Sequence, residues 1–266
     1  MAAVAPEMET LRIERQGAVA RIVMNRPDIR NAFNDVMIRE LRQSLRLLKD
    51  DADARVVVLT GEGKAFCAGA DLNWMRRVVE YTYEQNYEDS LNLAHLMREA
   101  YDFPKAIVGR INGAAIGGGT GLVAVCDIAV AADTAVFAFS EVKIGLVPAC
   151  ISPYVLKRRG ERFGREYFIT GERLTAAKAL ECGLVNQVTA PDELDDAVQR
   201  YVDSLLTSSP DAVATSKRMV REVGDQTLDQ AGPYTADMIA RLRMGAEGQE
   251  GMAAFLERRK PGWHPE

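Results

Sequence analysis

The sequence predicts an α/β fold in which short strands alternate with helices, followed by an all-helical C-terminal region. Three observations carry this reading. Val56-Val57-Val58-Leu59-Thr60 is a continuous apolar run, the pattern of a strand buried on both faces of a mainly parallel sheet. The unit strand, strand, helix recurs along the chain, although without a repeat at a fixed sequence period. Near residue 205 the composition turns wholly helical, which divides the chain into a core over 1–204 and a helical region over 205–266. With 266 residues, 47% of them hydrophobic, the chain can bury a large core.

The elements follow in order. Ala18 to Met24 reads as a strand, ended by the turn chemistry of Asn25-Arg26-Pro27-Asp28. Asn34 to Lys49 places Val36, Met37, Leu41, Leu45 and Leu48 at helical spacing. The apolar strand at Val56 is closed by Gly61-Glu62-Gly63. Asn73 to Tyr101 is longer and more polar, and reads as a loop followed by a helix from about Asp89. Lys105 to Ile111 is a strand turned by Asn112-Gly113. Ile128 to Ala131 and Ala135 to Phe139 are short strands around Asp133-Thr134. Thr175 to Cys182 is a helix capped by Thr175 and stopped by Gly183, and Leu184 to Val188 is a strand. Pro191 to Leu206, Ser209 to Val223, Asp229 to Arg243 and Glu247 to Arg259 are helices. Lone helices at a chain end need a surface to pack on, so this region is expected to complete an oligomer.

Composition excludes several classes of function. A net charge of -5 argues against a nucleic-acid or membrane-surface role. No apolar run approaches the roughly 20 residues that span a bilayer. Met1 to Glu9 is Ala-rich and acidic, unlike a targeting segment, and Cys67, Cys126, Cys150 and Cys182 form no C-x-x-C pair. A reduced, cytoplasmic setting is expected. The two histidines, His95 and His264, are too few and too poorly placed for a Ser-His-Asp or histidine-based metal site.

Two stretches remain to carry chemistry. Phe66-Cys67-Ala68-Gly69-Ala70-Asp71-Leu72 and Gly117-Gly118-Gly119-Thr120-Gly121 both follow apolar strands, and Glu141 stands at the end of another apolar run. Small residues let backbone N–H groups approach a ligand with no side chain between. Two such groups aimed at one point make an oxyanion site, and a nearby carboxylate adds a proton carrier. Each piece also has a plain structural reading: a strand-to-helix turn, close helix packing, an exposed acid. Together they favour function. Gly119-x-Gly121-x-x-Ala124 also matches a dinucleotide fingerprint, with Glu141 twenty residues beyond Gly121. That reading is disfavoured, because Cys126-Asp127 interrupts after barely two helical turns. Gly61-Glu62-Gly63-Lys64 lacks the spacing of a P-loop.

At these residues the chain resembles the crotonase superfamily, the enoyl-CoA hydratases and isomerases. The likeness includes Asn25-Arg26-Pro27 with Arg30-Asn31-Ala32, both small-residue stretches, and Cys126-Asp127-Ile128. It extends to Ser140-Glu141 through Pro148 and to the basic segment Phe255 to Lys260. The resemblance implies a crotonase-like spiral of strand-strand-helix repeats with a C-terminal helical trimerisation region, as a homotrimer or a dimer of trimers. It implies a coenzyme A thioester as substrate, with no metal and no separate cofactor. Ala70 and Gly118 would hold the thioester oxygen through their N–H groups, and Glu141 would move a proton. Arg26, Arg30, Ala32, Lys64, Ala68, Asp71, Leu72, Asn73 and Arg258 would meet the substrate or its coenzyme A, Arg258 across a subunit boundary.

One departure separates this chain from the common hydratases, which carry a second glutamate where Gly121 stands. A lone Glu141 suits a double-bond isomerase, or a hydratase helped by another group. Asp89, Glu84, Tyr81, Tyr83 and Tyr87 are candidates for that help, and Arg76 or Arg77 for meeting a distal substrate carboxylate. The segments Phe66 to Met75 and Pro148 to Pro153 are most similar to bacterial hydratases of branched, carboxylated enoyl-CoAs of the methylglutaconyl-CoA type. A hydratase, an isomerase, and a non-catalytic acyl-CoA-binding subunit therefore stand as alternatives.

Overall fold

In the computed structural model, residues 8–265 are described. The opening segment that composition reads as untargeted lies, in its first seven residues, outside them. Among the described residues ten strands form two sheets. The larger has six strands: β1 (Leu11–Gln16), β2 (Val19–Met24), β3 (Val56–Gly61), β5 (Ala106–Ile111), β7 (Ile128–Ala132) and β10 (Gln187–Thr189), adjacent in that order. β1 pairs antiparallel with β2, and the remaining neighbours are parallel. The smaller sheet is β4 (Ala65–Cys67), β6 (Ala114–Ile116), β8 (Val136–Ala138) and β9 (Arg173–Thr175). Three successive turns, β3–β4, β5–β6 and β7–β8, each place one strand in each sheet before a helix, the recurrence expected from sequence.

β3 is buried at all six positions. The pleat sends successive side chains to opposite faces. Val57 and Leu59 enter the core between the sheets and helices α1 (Asp35–Asp50), α3 (Tyr83–Tyr101), α4 (Gly118–Val125) and α5 (Ser152–Thr170). Val56 and Val58 pack instead with Val108, Val130 and Ala132 beneath α7 (Leu194–Leu206), which contributes Leu194, Ala197, Val198 and Val202. Both faces of the sheet are covered, which is why β3 carries no polar alternation.

Three of the elements that differ from expectation bear on the core and the site. Asn73 to Tyr101 is not a loop and then a helix but two helices, α2 (Leu72–Val78) and α3. The Asp71 carboxylate caps the first, and a reciprocal Thr82–Gln85 box caps the second. α3 looks polar because only Leu96, Met97 and Ala100 are fully buried. Leu184 and Val185 do not form a strand: they fill the core from the turn after α6 (Ala176–Glu181), and pairing begins at Gln187. α5 has no counterpart in the sequence reading. Its pattern is interrupted at Gly160, whose φ of 79° breaks the helical geometry.

After α7 come α8 (Pro210–Val223), α9 (Leu228–Met244) and α10 (Ala246–Glu257), which together bury only Met238 and Ala254 fully. Polar clamps fasten them to the core. The Lys217 ammonium donates to Asp127 Oδ2 at 2.7 Å and to the Lys105 carbonyl at 2.8 Å. Asp127 Oδ2 also accepts from the Ile107 N–H at 2.7 Å, so one carboxylate ties α8 to β5. The Arg55 guanidinium donates to the carbonyls of Ser208 and Trp263.

Candidate active site

Parallel pairing in the smaller sheet assembles the site. Cys67 lies opposite Ala115, and Ile116 opposite Ala138. Running on from those pairs, the segment around Ala70, the start of α4 and the short 3₁₀ helix Ser140–Ile144 leave the same end of the sheet. Ligands favour this end of parallel strands, where helix N-termini present free N–H groups.

The two expected N–H donors stand here. Gly118 is the first residue of α4, so its N–H has no partner within the helix. Ala70 forms an isolated bridge with Phe33, whose N–H donates to the Gly69 carbonyl and whose carbonyl accepts from the Asp71 N–H. The Ala70 N–H has no acceptor among the described residues. Close packing holds the two segments together. A Cβ on Gly119 would lie 2.4 Å from the Cys67 carbonyl oxygen, and one on Gly118 would lie 3.0 Å from the Phe33 ring. Gly117, at φ 53° and ψ -120°, adopts a backbone that L side chains avoid.

Glu141 faces this assembly. Its Oε1 would lie 3.0 Å from a Cβ on Gly117, so glycine there makes room for the carboxylate. Its Oε2 is buried with no hydrogen-bond partner among the described residues. Burial pushes the carboxyl above the ordinary carboxylate range, and the residue's own N–H only partly opposes this. A half-buried carboxylate whose Oε2 has no partner among the described residues, set against the start of α4, is equipped to accept and return a proton.

Several of the other anticipated residues are engaged with one another. Arg26 donates to the Ala32 carbonyl and to Asp71 Oδ2, both at 2.7 Å. Asp71 Oδ1 in turn accepts from the N–H groups of Asn73 and Trp74. Burial alone would raise the Asp71 carboxyl, but Arg26 and those N–H groups outweigh it and hold the group below its usual range. Arg26 and Asp71 therefore fasten the loop that carries Ala70. Asp71→Ala is expected to cost about 2–3 kcal/mol, through the lost cap and the stranded guanidinium, as read from the urea midpoint. Asp71→Asn, which can still cap, is expected to cost less.

Ala68 donates from its N–H to the Arg30 carbonyl, and Ala32 is buried. Arg30 and Lys64 are exposed and make no side-chain ion pair among the described residues, so both are free to meet an anion. Leu72 is exposed, and Asn73 accepts from Arg76. Arg258 caps the C-terminal end of α10, and among the described residues no hydrogen bond or ion pair joins it to the other site residues. Arg77 pairs with Asp35, and Tyr83 stacks on Tyr87 at the surface. Asp89 accepts from the Trp74 indole N–H at 3.3 Å, and burial raises its carboxyl. Sequence reasoning missed Phe33, Met97 and Ile151. A Cβ on Gly121 would fall 2.2 Å from Ile151 Cγ2 and 3.4 Å from Met97 Cε.

Known proteins share this architecture. Residues 14–266 match the model of the enoyl-CoA hydratase/isomerase family. The crystal structure of an enoyl-CoA hydratase from Shewanella pealeana is 43% identical, with a TM-score of 0.94 over 97% of both chains. Pseudomonas aeruginosa AtuE is 35% identical, with a TM-score of 0.93 over 97% of this chain and all of its own. The enoyl-CoA hydratase AKT6-1 of Alternaria alternata is 34% identical over 250 residues, which span 92% of this chain and 81% of the relative.

Proposed function

The chain belongs to the enoyl-CoA hydratase/isomerase family, and on that premise we propose that it adds water to the double bond of a short or branched enoyl-CoA. The observation that carries the proposal is the unpartnered Glu141 carboxylate beside the free N–H groups of Ala70 and Gly118. Water oxygen bonds to the β carbon, and the electrons of the double bond move toward the thioester oxygen. The two N–H groups stabilise that charge; in systems where one donor has been removed the loss is about 3–4 kcal/mol. Glu141 takes a proton from the water and returns one to the α carbon, so the addition balances with no metal or redox cofactor. Arg30 and Lys64 would meet the coenzyme A phosphates.

A second reading is favoured by one observation. Ile151 fills the space over Gly121, so α4 brings no further carboxylate beside Glu141. A lone carboxylate can also carry a proton between the α and γ carbons, which makes a double-bond isomerase. Incubation with a panel of enoyl-CoAs in heavy-oxygen water separates the two. Label in the product is the expected result; a shifted double bond without label would replace hydration by isomerisation. Preference for a branched, carboxylated enoyl-CoA of the methylglutaconyl type is part of the proposal, supported by the similarity of Phe66 to Met75 and Pro148 to Pro153.

The protein is further proposed to act in the cytoplasm as a homotrimer or dimer of trimers. Leu228, Met244, Phe255 and Leu256 of the helical tail are each at least 80% exposed, an apolar surface suited to a second copy. Light scattering at micromolar concentration is expected to give at least three times the chain mass, and a monomer would contradict it. Among the described residues no helix is long and apolar enough to cross a membrane.

A further inference from the structure

Two glycines at the start of α4 face the site: Gly117, just before the helix, and Gly121 within it. The Gly121 N–H donates to the Gly117 carbonyl at 3.1 Å, so position 121 lies in the turn of α4 that begins at Gly117. Position 117 faces the Glu141 carboxylate. Position 121 faces Ile151, with Met97 behind it. Ile151 is therefore the neighbour of Glu141 along the wall that also supplies the Gly118 N–H. A substrate carbon within reach of Glu141, with its thioester oxygen on Gly118, lies against this wall.

Ile151 is 2% exposed and sends its side chain over Gly121.

We infer that Ile151, interlocked with Gly121, is the specificity-determining residue that bounds the acyl chamber beside Glu141. This rests on the acyl-CoA reading of the site and deepens it. Ile151 makes the wall dry and limits the bulk that the β carbon and its continuation can carry.

The test uses saturated acyl-CoAs, whose binding is independent of whether the enzyme hydrates or isomerises. Butyryl-CoA, 3-methylbutyryl-CoA and hexanoyl-CoA are titrated calorimetrically into the unaltered protein, Ile151→Val and Ile151→Ala. Alanine removes three carbons from the wall, and each methylene buried is worth about fourfold in affinity. Relative to butyryl-CoA, 3-methylbutyryl-CoA is expected to gain about fourfold and hexanoyl-CoA about fifteenfold in Ile151→Ala, with Ile151→Val between. Gly121→Ala is expected to weaken binding about tenfold or more in the natural background and to be nearly silent beside Ile151→Ala. Equal ratios among the three ligands in every variant, or a uniform loss for all of them, would overturn the inference. So would a Gly121→Ala effect that is the same in both backgrounds. Absence of binding to the unaltered protein would overturn the acyl-CoA reading itself, and this inference with it.

Discussion

Glu141→Gln is expected to lower turnover by about a hundredfold or more while leaving acyl-CoA binding in place. Glutamine keeps the size and polarity of the side chain but cannot accept a proton. The loss should appear in kcat, with KM little changed, because the group acts on the proton in transit and not on the bound thioester. The same variant carries a stability signature. Burial raises the Glu141 carboxyl in the folded protein, so the ionised form is disfavoured there relative to the unfolded chain. The stability linked to this group is fully present below the unfolded carboxylate pKa and is lost as pH rises through the folded one. Glu141→Gln should therefore melt above the natural protein at neutral pH, and the difference should close in acid. Near-normal turnover, or a lower melting temperature at neutral pH, would mean that the carboxylate is not the strained, working group described above.

The second large effect is expected at Gly119. A methyl group there would lie 2.4 Å from the Cys67 carbonyl oxygen and 3.0 Å from Cys67 Cβ. The carbonyl belongs to β4, so relief requires α4 and β4 to separate. Overpacking against backbone of this kind is expected to cost about 2–4 kcal/mol in denaturant unfolding. It should also spread the Ala70 and Gly118 N–H groups, so the surviving folded enzyme loses activity as well. Gly145→Ala is a contrast: its Cβ would meet nothing within 4 Å, although its φ of 77° disfavours any side chain. Gly119→Ala should be the more damaging of the two to activity at equal folded fraction.

The extent to which these features were legible in the sequence follows from their physics. β3 was legible because a strand buried on both faces shows an unbroken apolar run. The glycine cluster was legible because helix-to-strand contact and N–H exposure both demand small residues. β1, Leu11 to Gln16, was missed because an edge strand half in water reads as Leu-Arg-Ile-Glu-Arg-Gln. β4 and β6 are three residues each, too short for any period to show. α5 was missed because Gly160, Gly164 and the run Lys157-Arg158-Arg159 interrupt its apolar spacing. At the site, the sequence singled out the stretches that hold the free N–H groups of Ala70 and Gly118 and the buried Glu141 carboxylate. The engagement of Arg26 with Asp71 could not be anticipated, since it joins side chains 45 positions apart in sequence. Nor could Ile151 over Gly121, because nothing local to an isoleucine reveals the glycine it covers thirty residues earlier.

In the proposed function, Glu141 exchanges a proton with the α carbon of a thioester held by the N–H groups of Ala70 and Gly118. Incubating butyryl-CoA with the protein in deuterium oxide, and following the α position by proton NMR, tests it without the complication of water addition. The account predicts deuterium at the α carbon with the natural protein, and loss of that exchange in Glu141→Gln at equal ligand occupancy. Exchange that continues unchanged in Glu141→Gln would contradict it.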